Sequence, residues 1–282
     1  MRNNEKPNMS WLKNTQDKIE VVEQVDATRN EIVYELPLNE KIRTFIRLES
    51  LFEEIEFYLQ GDTVWDTRSA VNTFIAILNV FSRPEIKTDL MKEMDRINTN
   101  LSKYNAMHGV NTGRLKDVQD SLGKMAKDLR AMEGQIGQNL KQNEFIMSIR
   151  QRDTIPGGAL VMDLPTYGHW LGQDINSRSN DIRGWLQEFS LVKKAVYLIL
   201  ELIRGSATAI DVVAKAGFYQ HVLDPGTCNQ ILRVILPKDA TYFPEISGGR
   251  HRFTVRFLKP MGFDRPVQIE QEVSFKLICC AL

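Results

Sequence analysis

The sequence lacks the short motifs by which many enzymes and cofactor-binding proteins are recognised. It contains no GxGxxG, GxxxxGKS/T, HExxH or GxSxG pattern. Its four histidines, His108, His169, His221 and His251, are scattered without the spacing of metal ligands. These absences predict a protein without a cofactor, a metal centre or a catalytic apparatus.

Long apolar segments and an excess of charge of one sign are also absent. The longest uncharged stretch, Ser69 to Ser82, is shorter than the roughly 20 residues that a membrane-spanning helix requires. The amino terminus has no apolar run like that of a secretory signal. The 36 basic and 36 acidic residues argue against a protein that coats nucleic acid or binds membranes by charge alone. We therefore expect a cytoplasmic protein without a membrane span, in which any basic site is local.

Cysteine is scarce as well. The three cysteines are Cys228 and the adjacent Cys279 and Cys280, and no CxxC pair occurs. Free thiols in a reducing compartment are the interpretation that this pattern favours.

What the sequence does contain begins with an alternating segment that leads into an apolar helix. Glu31 to Leu36 alternates between two faces, which is typical of a strand, and Pro37 blocks further pairing. Asn39 follows in the position of a helix N-cap. Apolar residues then recur at spacings of three and four from Ile42 to Leu59, which predicts a core helix.

Two heptad patterns follow on either side of a short loop. The first places Leu90, Met94, Ile97, Leu101 and Tyr104 at alternating spacings of four and three. The second consists of Leu115, Val118, Leu122, Met125, Leu129, Met132 and Ile136. Matching apolar seams joined by a short connection predict two long antiparallel helices. The pair can be covered within one chain, or part of it can form a dimerisation surface.

The last third of the chain has the alternation of strands. His251–Phe257 alternates regularly, and Val267–Cys279 does so except at Gln271, which falls on the apolar side. Such alternation is typical of an antiparallel sheet with one solvent-exposed face. Further short strands are predicted at Ala159–Met162, which precedes a turn at Pro165, and at Gly217–Leu223 and Gln230–Leu236.

The predicted fold class is therefore α+β, with a long antiparallel helix pair in a helical part that is inserted between strands of an antiparallel β-sheet part. The strand near residue 31 is expected to complete the carboxy-terminal sheet. The predicted division is a mobile extension at 1–29, a β part at 30–37, 153–176 and 205–282, and a helical part at 38–152 and 177–204.

The most distinctive candidate site is the run from Ser247 to Lys259, SGGRHRFTVRFLK. It carries Arg250, Arg252, Arg256 and Lys259 and no acidic residue. Arg252 and Arg256 share the polar face of the predicted strand. An ordinary solvated sheet face is the simplest interpretation. The predominance of arginine in a chain without net charge favours a surface that binds the carboxylates of an acidic peptide.

A second basic cluster opens the first predicted helix. Lys41, Arg43 and Arg47 lie in its early turns, whereas acidic residues fill the later ones, the reverse of what the helix dipole favours. This end of the helix is therefore also a candidate surface for an anionic partner.

Two other functional classes remain open. Asp163 and His169 are close enough in sequence to form an acid–base pair, but no third polar group is in register with them, so a structural role is favoured. A single-stranded nucleic-acid-binding protein that uses the Arg250–Arg256 strip is the alternative function. It is disfavoured because Phe253 and Phe257 alternate onto the opposite face, where they cannot stack on bases beside the arginines.

Four blocks of sequence, taken together and in order, resemble the ZapD family of FtsZ-associated bacterial cell-division proteins. They are ELPLNEKIRTFIRLE (35–49), RPEIKTDLMKEMDR (83–96), RQRDTIPGGALVMDLPTYGHWL (150–171) and FPEISGGRHRFTVRF (243–257). The adjacent cysteines near the carboxy terminus also resemble the family. The resemblance implies a homodimer that binds the partly acidic carboxy-terminal tail of FtsZ and bundles FtsZ filaments at the mid-cell division ring.

The resemblance also implies where the tail-binding surface lies. Its basic positions fall on Arg47, Arg83, Arg252 and Arg256. His169 lies one position after the histidine of the family, where this chain has Gly168, and is kept as a further candidate. Arg43, Arg250 and Lys259 complete the predicted partner-binding set.

Overall fold

The structure, a computed structural model of the chain, describes residues 30–105, 111–153, 155, 160, 162–249 and 251–282. The predicted mobile extension at 1–29 lies outside this part. The described residues form two compact units. The first unit is drawn from Met1–Arg43, Thr99–Gln119 and Ile199–Leu282, and the second from Thr44–Asn98 and Asp120–Leu198.

Helices occupy most of the middle of the chain. They are α1 (Glu40–Tyr58), α2 (Val64–Val80), α3 (Glu85–Ser102), α4 (Thr112–Ala131), α5 (Gln138–Lys141), α6 (Glu144–Arg152), α7 (Pro165–Leu171), α8 (Ile175–Gln187) and α9 (Ser190–Arg204). Among the residues that the structure describes, one strand precedes them and seven follow. The strands are β1 (Glu31–Pro37), β2 (Ile210–Ala214), β3 (Phe218–Val222), β4 (Asn229–Pro237), β5 (Phe243–Gly248), β6 (Arg252–Met261), β7 (Asp264–Gln268) and β8 (Val273–Ala281). The predicted α+β class, with helices inserted between strands, is confirmed.

The strands form two antiparallel sheets, both in the first unit. One sheet has the order β1-β4-β8-β2, and the other has the order β3-β6-β5, with β7 also paired to β6. Strand β1 pairs with β4 from Glu31 opposite Pro237 to Pro37 opposite Ile231. The amino-terminal strand therefore joins strands from the other end of the chain, as predicted.

A shared apolar core joins the two sheets. Its side chains alternate along β4, β6 and β8, as the period of two requires for strands with one face turned inward. The rings of Phe257 and Phe275, from different sheets, have centroids 5.0 Å apart. The fully buried members include Leu232, Val234 and Val255. This core fixes which face of β6 turns outward, and therefore where its arginines lie.

Side-chain caps define where the first two helices begin. Asn39 Oδ1 accepts a hydrogen bond from the Ile42 amide at 2.9 Å, which confirms the predicted N-cap of α1. At α2, the Thr63 hydroxyl accepts from the Asp66 amide and the Asp66 carboxylate accepts from the Thr63 amide, each at 3.1 Å. This reciprocal capping box satisfies two donors at the start of the helix.

Helices α3 and α4 are antiparallel, as their heptad seams predict. Arg130 pairs with Asp95 at 3.1 Å, and the Gln119 amide lies 3.0 Å from the Ser102 hydroxyl, so positions later in α4 meet positions earlier in α3. Most of the predicted seam residues within the two helices are buried: Leu90, Met94, Ile97 and Leu101 in α3, and Leu115, Leu122 and Leu129 in α4. Val118 and Met125 of α4 are half-buried. The predicted seams extend too far, because Tyr104 follows the end of α3, and Met132 and Ile136 follow the end of α4.

Aromatic side chains from several helices form the core of the second unit. Phe81 stacks on Phe189 with centroids 4.7 Å apart. Trp185 packs against Phe74 at 5.3 Å and against Trp170 at 5.7 Å. These contacts hold the carboxy-terminal half of α2 against α7 and α8.

The prediction of one strand over Val267–Cys279 is wrong. The segment forms two strands, β7 and β8, which belong to different sheets. The chain changes sheet beside Gly217, whose amide donates to the Gln271 carbonyl at 2.9 Å. Gln271, the one polar residue on the predicted apolar side, marks this break. Val267 is accordingly exposed rather than buried.

The predicted β structure within residues 153–176 is also wrong at the described positions. Leu160 is not in a strand, Met162 lies in a turn, and Pro165 begins α7 where the sequence indicates only a turn. Proline is suited to the first turn of a helix because its missing amide has no intrahelical partner there. Positions 159 and 161 of the predicted strand lie outside the described residues.

Candidate functional site

The first basic cluster lies in the second unit, where α1 passes the end of α2. A depression of about 210 Å³ is lined by Thr44, Arg47, Asn79, Val80 and Arg83. Arg47 and Arg83 are both exposed. Within the described residues no carboxylate lies within ion-pairing distance of either guanidinium. The two predicted arginines thus share one concave surface whose charge is uncompensated.

Arg150 adds a third guanidinium to this region, and sequence reasoning missed it. Its Nε donates to Asn79 Oδ1 and its Nη2 donates to Ser82 Oγ, each at 2.8 Å. Both acceptors are neutral, so these bonds do not offset the positive charge of Arg150, which lies next to the depression that Asn79 lines. The only sequence signal was its position at the start of the third family-like block. We call Arg47, Arg83 and Arg150 the helical arginine cluster.

Arg43, one turn before Arg47, is placed differently. Its Nε lies 3.0 Å from the Glu40 carboxylate, in an ion pair between residues three apart on the helix. A carboxylate three residues earlier is within reach on a helix surface. Arg43 is therefore a weaker candidate than Arg47, because an acidic ligand must compete with Glu40 for it.

The second basic cluster lies on the sheet that contains β6. Phe253 and Phe257 are 1% and 0% exposed and point into the core between the sheets. Arg252 and Arg256 alternate with them and are exposed on the outward face. The predicted division of β6 into an apolar and a basic face is confirmed. Because these two rings are buried, they cannot stack on nucleic-acid bases beside the arginines, as the sequence indicated.

Arg256 has a carboxylate neighbour that its own strand did not reveal. Glu245 of β5 lies directly opposite it in the register, and its carboxylate is 2.9 Å from the Arg256 guanidinium. Both side chains remain about half exposed, at 53% and 51%. Arg256 is therefore accessible but partly neutralised.

Arg252 differs from Arg256 in this respect. It lines a groove of about 520 Å³ on the outward face, formed by Gln220, Ser247, Gly248, Gly249, His251, Arg252, Phe253 and Thr254. No acidic side chain pairs with Arg252 among the residues that the structure describes. We call Arg252, Arg256 and the groove the sheet site.

The remaining predicted residues are more scattered. Lys259 is exposed further along β6, and His169 is exposed on α7. Arg250 lies outside the described residues. Asp163, the predicted acid–base neighbour of His169, instead lies 3.1 Å from Arg152 in an ion pair. The structure thus brings Arg47 together with Arg83, and Arg252 together with Arg256, in different units.

Across the described ranges, no cluster of three or more histidine, cysteine, aspartate or glutamate side chains is arranged to hold a metal ion. In those ranges, too, no helix combines the length and the apolar character needed to cross a bilayer.

Comparison with known proteins gives a consistent match over most of the chain. Residues 46–256 match the model of the ZapD family, described as a cell division protein. Cell division protein ZapD of Methylococcus capsulatus (strain ATCC 33009 / NCIMB 11132 / Bath) is 41% identical over 254 residues, which cover 90% of this chain and 100% of the relative. The proteins of the same name from Aromatoleum aromaticum and Azoarcus sp. are each 34% identical over 251 residues, 89% of this chain, and 98% and 100% of their own lengths.

Proposed function

The chain belongs to the ZapD family of cell-division proteins, and on that basis we propose that it binds the acidic carboxy-terminal tail of FtsZ. The sheet site and the helical arginine cluster are the proposed contacts. The segment that matches the family begins one residue before Arg47 and ends at Arg256, so all four arginines that the resemblance assigns fall within it.

The observation that carries this proposal is the position of Arg252. Its guanidinium is exposed beside an open groove and has no carboxylate partner in the described part of the chain. A planar guanidinium donates two parallel hydrogen bonds to a carboxylate, and such charge-assisted bonds each contribute about 1.5–3 kcal/mol when partly shielded from water. An acidic peptide supplies the carboxylates with which Arg252 can pair.

A single weak contact of this kind becomes effective when it is repeated. We propose that the protein acts as a homodimer, so that two copies of the site face different filaments. Each FtsZ filament displays one tail per subunit, so a bivalent protein gains from the high local concentration of tails. The outcome is crosslinking and bundling of FtsZ filaments at the division ring in the cytoplasm.

The proposal that the FtsZ tail is the bound element is tested with the isolated tail and with FtsZ that lacks it. Fluorescence anisotropy of a labelled FtsZ tail peptide is expected to rise on addition of the protein, and added salt is expected to reduce the affinity because the contacts are ionic. Full-length FtsZ should compete with the peptide, and FtsZ without its tail should not. Undiminished competition by the tailless protein would show that the partner element is wrong.

A further inference from the structure

Strand β3 forms one edge of the sheet that carries the sheet site. It pairs with β6 on one side, from Phe218 opposite Arg256 to Val222 opposite Arg252. No other strand of the described chain pairs with its opposite side. Most of the strand is exposed, including Gln220 and Val222, the latter to 68%. An exposed edge of this kind is a template for another extended chain.

The hydrogen-bond pattern shows which backbone groups face this edge. The Phe257 amide donates to the Gly217 carbonyl, and the Leu223 amide donates to the His251 carbonyl, each at 2.8 Å. In an antiparallel pair, the residues bonded to the neighbouring strand alternate with residues whose amide and carbonyl point away from it. Odd-numbered residues of β3 therefore bond to β6, and Gln220 and Val222 direct theirs outward.

Phe218, also even-numbered, is already used locally. Its amide donates to the Lys215 carbonyl at 3.0 Å in the turn before the strand. The available backbone groups at the edge are thus those of Gln220 and Val222, which together offer two donors and two acceptors.

The side chains of Phe218 and Val222 lie beside the two arginines. Directly paired residues in an antiparallel sheet point to the same face, so Val222 lies next to Arg252, and Phe218 next to Arg256. Phe218 is 39% exposed. The outward face near the edge therefore offers an apolar side chain beside each guanidinium.

We propose that an acidic peptide binds the sheet site by adding a strand to the free edge of β3. Its backbone pairs with Gln220 and Val222, and alternate side chains point to the outward face. There, carboxylates reach over β3 toward Arg252 and Arg256, and apolar side chains contact Phe218 and Val222. The ligand class is an extended peptide in which acidic and apolar residues share one face.

This mode of binding rests on the proposed function, because the FtsZ tail is its occupant. It adds a specificity that charge alone does not give. Main-chain pairing supplies affinity and fixes the direction of the peptide, while the side-chain row selects its sequence. A disordered acidic chain without apolar residues on the same face is expected to bind more weakly at equal charge.

Replacing Gln220 with proline tests the pairing. The substitution Gln220→Pro removes an outward amide but no bond to β6, and proline is tolerated on an edge strand in this orientation. Affinity for the labelled FtsZ tail peptide is expected to fall about tenfold or more. Gln220→Ala, which removes the same side chain but keeps the backbone amide, is the matched reference, and the affinity of Gln220→Pro is expected to be about tenfold or more below that of Gln220→Ala.

A second test leaves the protein unchanged. Tail peptides that are N-methylated at single successive positions should lose binding at alternate positions, because only every second amide faces β3. Hydrogen exchange of the Gln220 and Val222 amides should slow when the unmodified peptide is bound.

The outcomes separate this inference from the proposed function. If the tail binds and Arg252→Glu abolishes binding, but N-methylation has no alternating effect and both amides exchange as before, strand addition is wrong and the tail-binding function stands. If the tail does not bind the wild-type protein at all, both are wrong. Alternating loss together with slowed exchange supports strand addition.

Discussion

The Glu245 carboxylate lies 2.9 Å from the Arg256 guanidinium across two paired strands, whereas Arg252, four residues earlier on the same strand, has no such partner among the described residues. The two arginines of the sheet site are therefore not equivalent. An acidic ligand meets Arg252 directly but competes with Glu245 for Arg256. Neutralising Glu245 is therefore expected to strengthen binding of an acidic ligand, whereas reversing the charge of Arg252 is expected to abolish it.

Neutralising Glu245 is expected to strengthen binding of the FtsZ tail. Glu245→Gln removes the carboxylate that competes with the ligand for Arg256. The affinity for the tail should therefore rise by a few-fold at low salt. The measurement is anisotropy of the labelled tail peptide. Glu272→Gln, which neutralises another exposed carboxylate, is the matched control and should have a smaller effect. Weaker binding by Glu245→Gln would show that the acid helps to form the site.

Arg47 and Arg83 are expected to act together because they line one depression. Residues that contact a common ligand give non-additive effects, with coupling energies of about 0.5–3 kcal/mol. Arg47→Ala and Arg83→Ala, measured singly and together in the peptide-binding assay, should show such coupling. The exposed Lys92 of α3 provides the comparison, since Lys92→Ala should have little effect alone and should combine additively with Arg47→Ala. Additive effects of the two arginines would indicate that they do not share a ligand.

The stability of the first unit is expected to depend on Glu35. Its carboxylate lies 2.9 Å from both Arg204 and Arg233, and the three side chains are 17%, 14% and 6% exposed. The Arg233 Nε contact is an ion pair without hydrogen-bond alignment. Removing one member of a buried charged group leaves the others uncompensated.

Glu35→Ala should therefore lower the free energy of unfolding by about 3–5 kcal/mol, measured by urea denaturation. Glu245→Ala breaks a half-exposed pair, which water and salt screen, and should cost less than about 1 kcal/mol. Equal effects of the two substitutions would contradict the buried status of the Glu35 cluster.

Much of the fold was predictable because periodicity is a local property of the sequence. The N-cap at Asn39 and the central seam residues of α3, such as Met94 and Ile97, follow from spacing alone, and the structure confirms them. Short strands without alternation, β2 and β5, were not predicted. The change of sheet between β7 and β8 was missed because the alternation continues across it, and only Gln271 interrupts the pattern.

The candidate site was predicted in part for the same reason. The outward direction of Arg252 follows from the period of two along β6. The pairing of Arg256 with Glu245 depends on register between strands, and the contact of Arg150 with Asn79 joins residues 71 positions apart. Neither long-range relationship leaves a local signal. The proposed edge at β3 likewise depends on strand order, which periodicity does not determine.

The cysteines should differ sharply in reactivity. Burial raises the pKa of Cys279 to about 11 and that of Cys280 to about 12, whereas Cys228 is exposed. Because the thiolate is the reactive form, iodoacetamide at about pH 8 should modify Cys228 alone in the folded protein. Mass spectrometry of the digested protein locates the label. In urea, all three cysteines should react, and labelling of the buried Cys280 or the half-buried Cys279 comparable to that of Cys228 in the folded state would contradict this account.

The charge of Arg252 provides the cleanest test of the central claim, that exposed guanidinium groups bind the acidic tails of FtsZ. Reversal at Arg256 would place a second carboxylate opposite Glu245 and disturb the sheet, whereas Arg252 has no acidic neighbour across the strands in the described residues. Lys238→Glu, at an exposed position in the turn after β4, matches the change in charge. Circular dichroism and thermal unfolding establish that both variants are folded.

The deciding measurement is low-speed sedimentation of polymerised FtsZ with each protein across a salt series. The wild type and Lys238→Glu should both drive FtsZ into the pellet at low salt and lose this effect as salt rises, while Arg252→Glu should leave FtsZ in the supernatant throughout. Pelleting by folded Arg252→Glu equal to that by the wild type, or pelleting that does not respond to salt, would contradict the account.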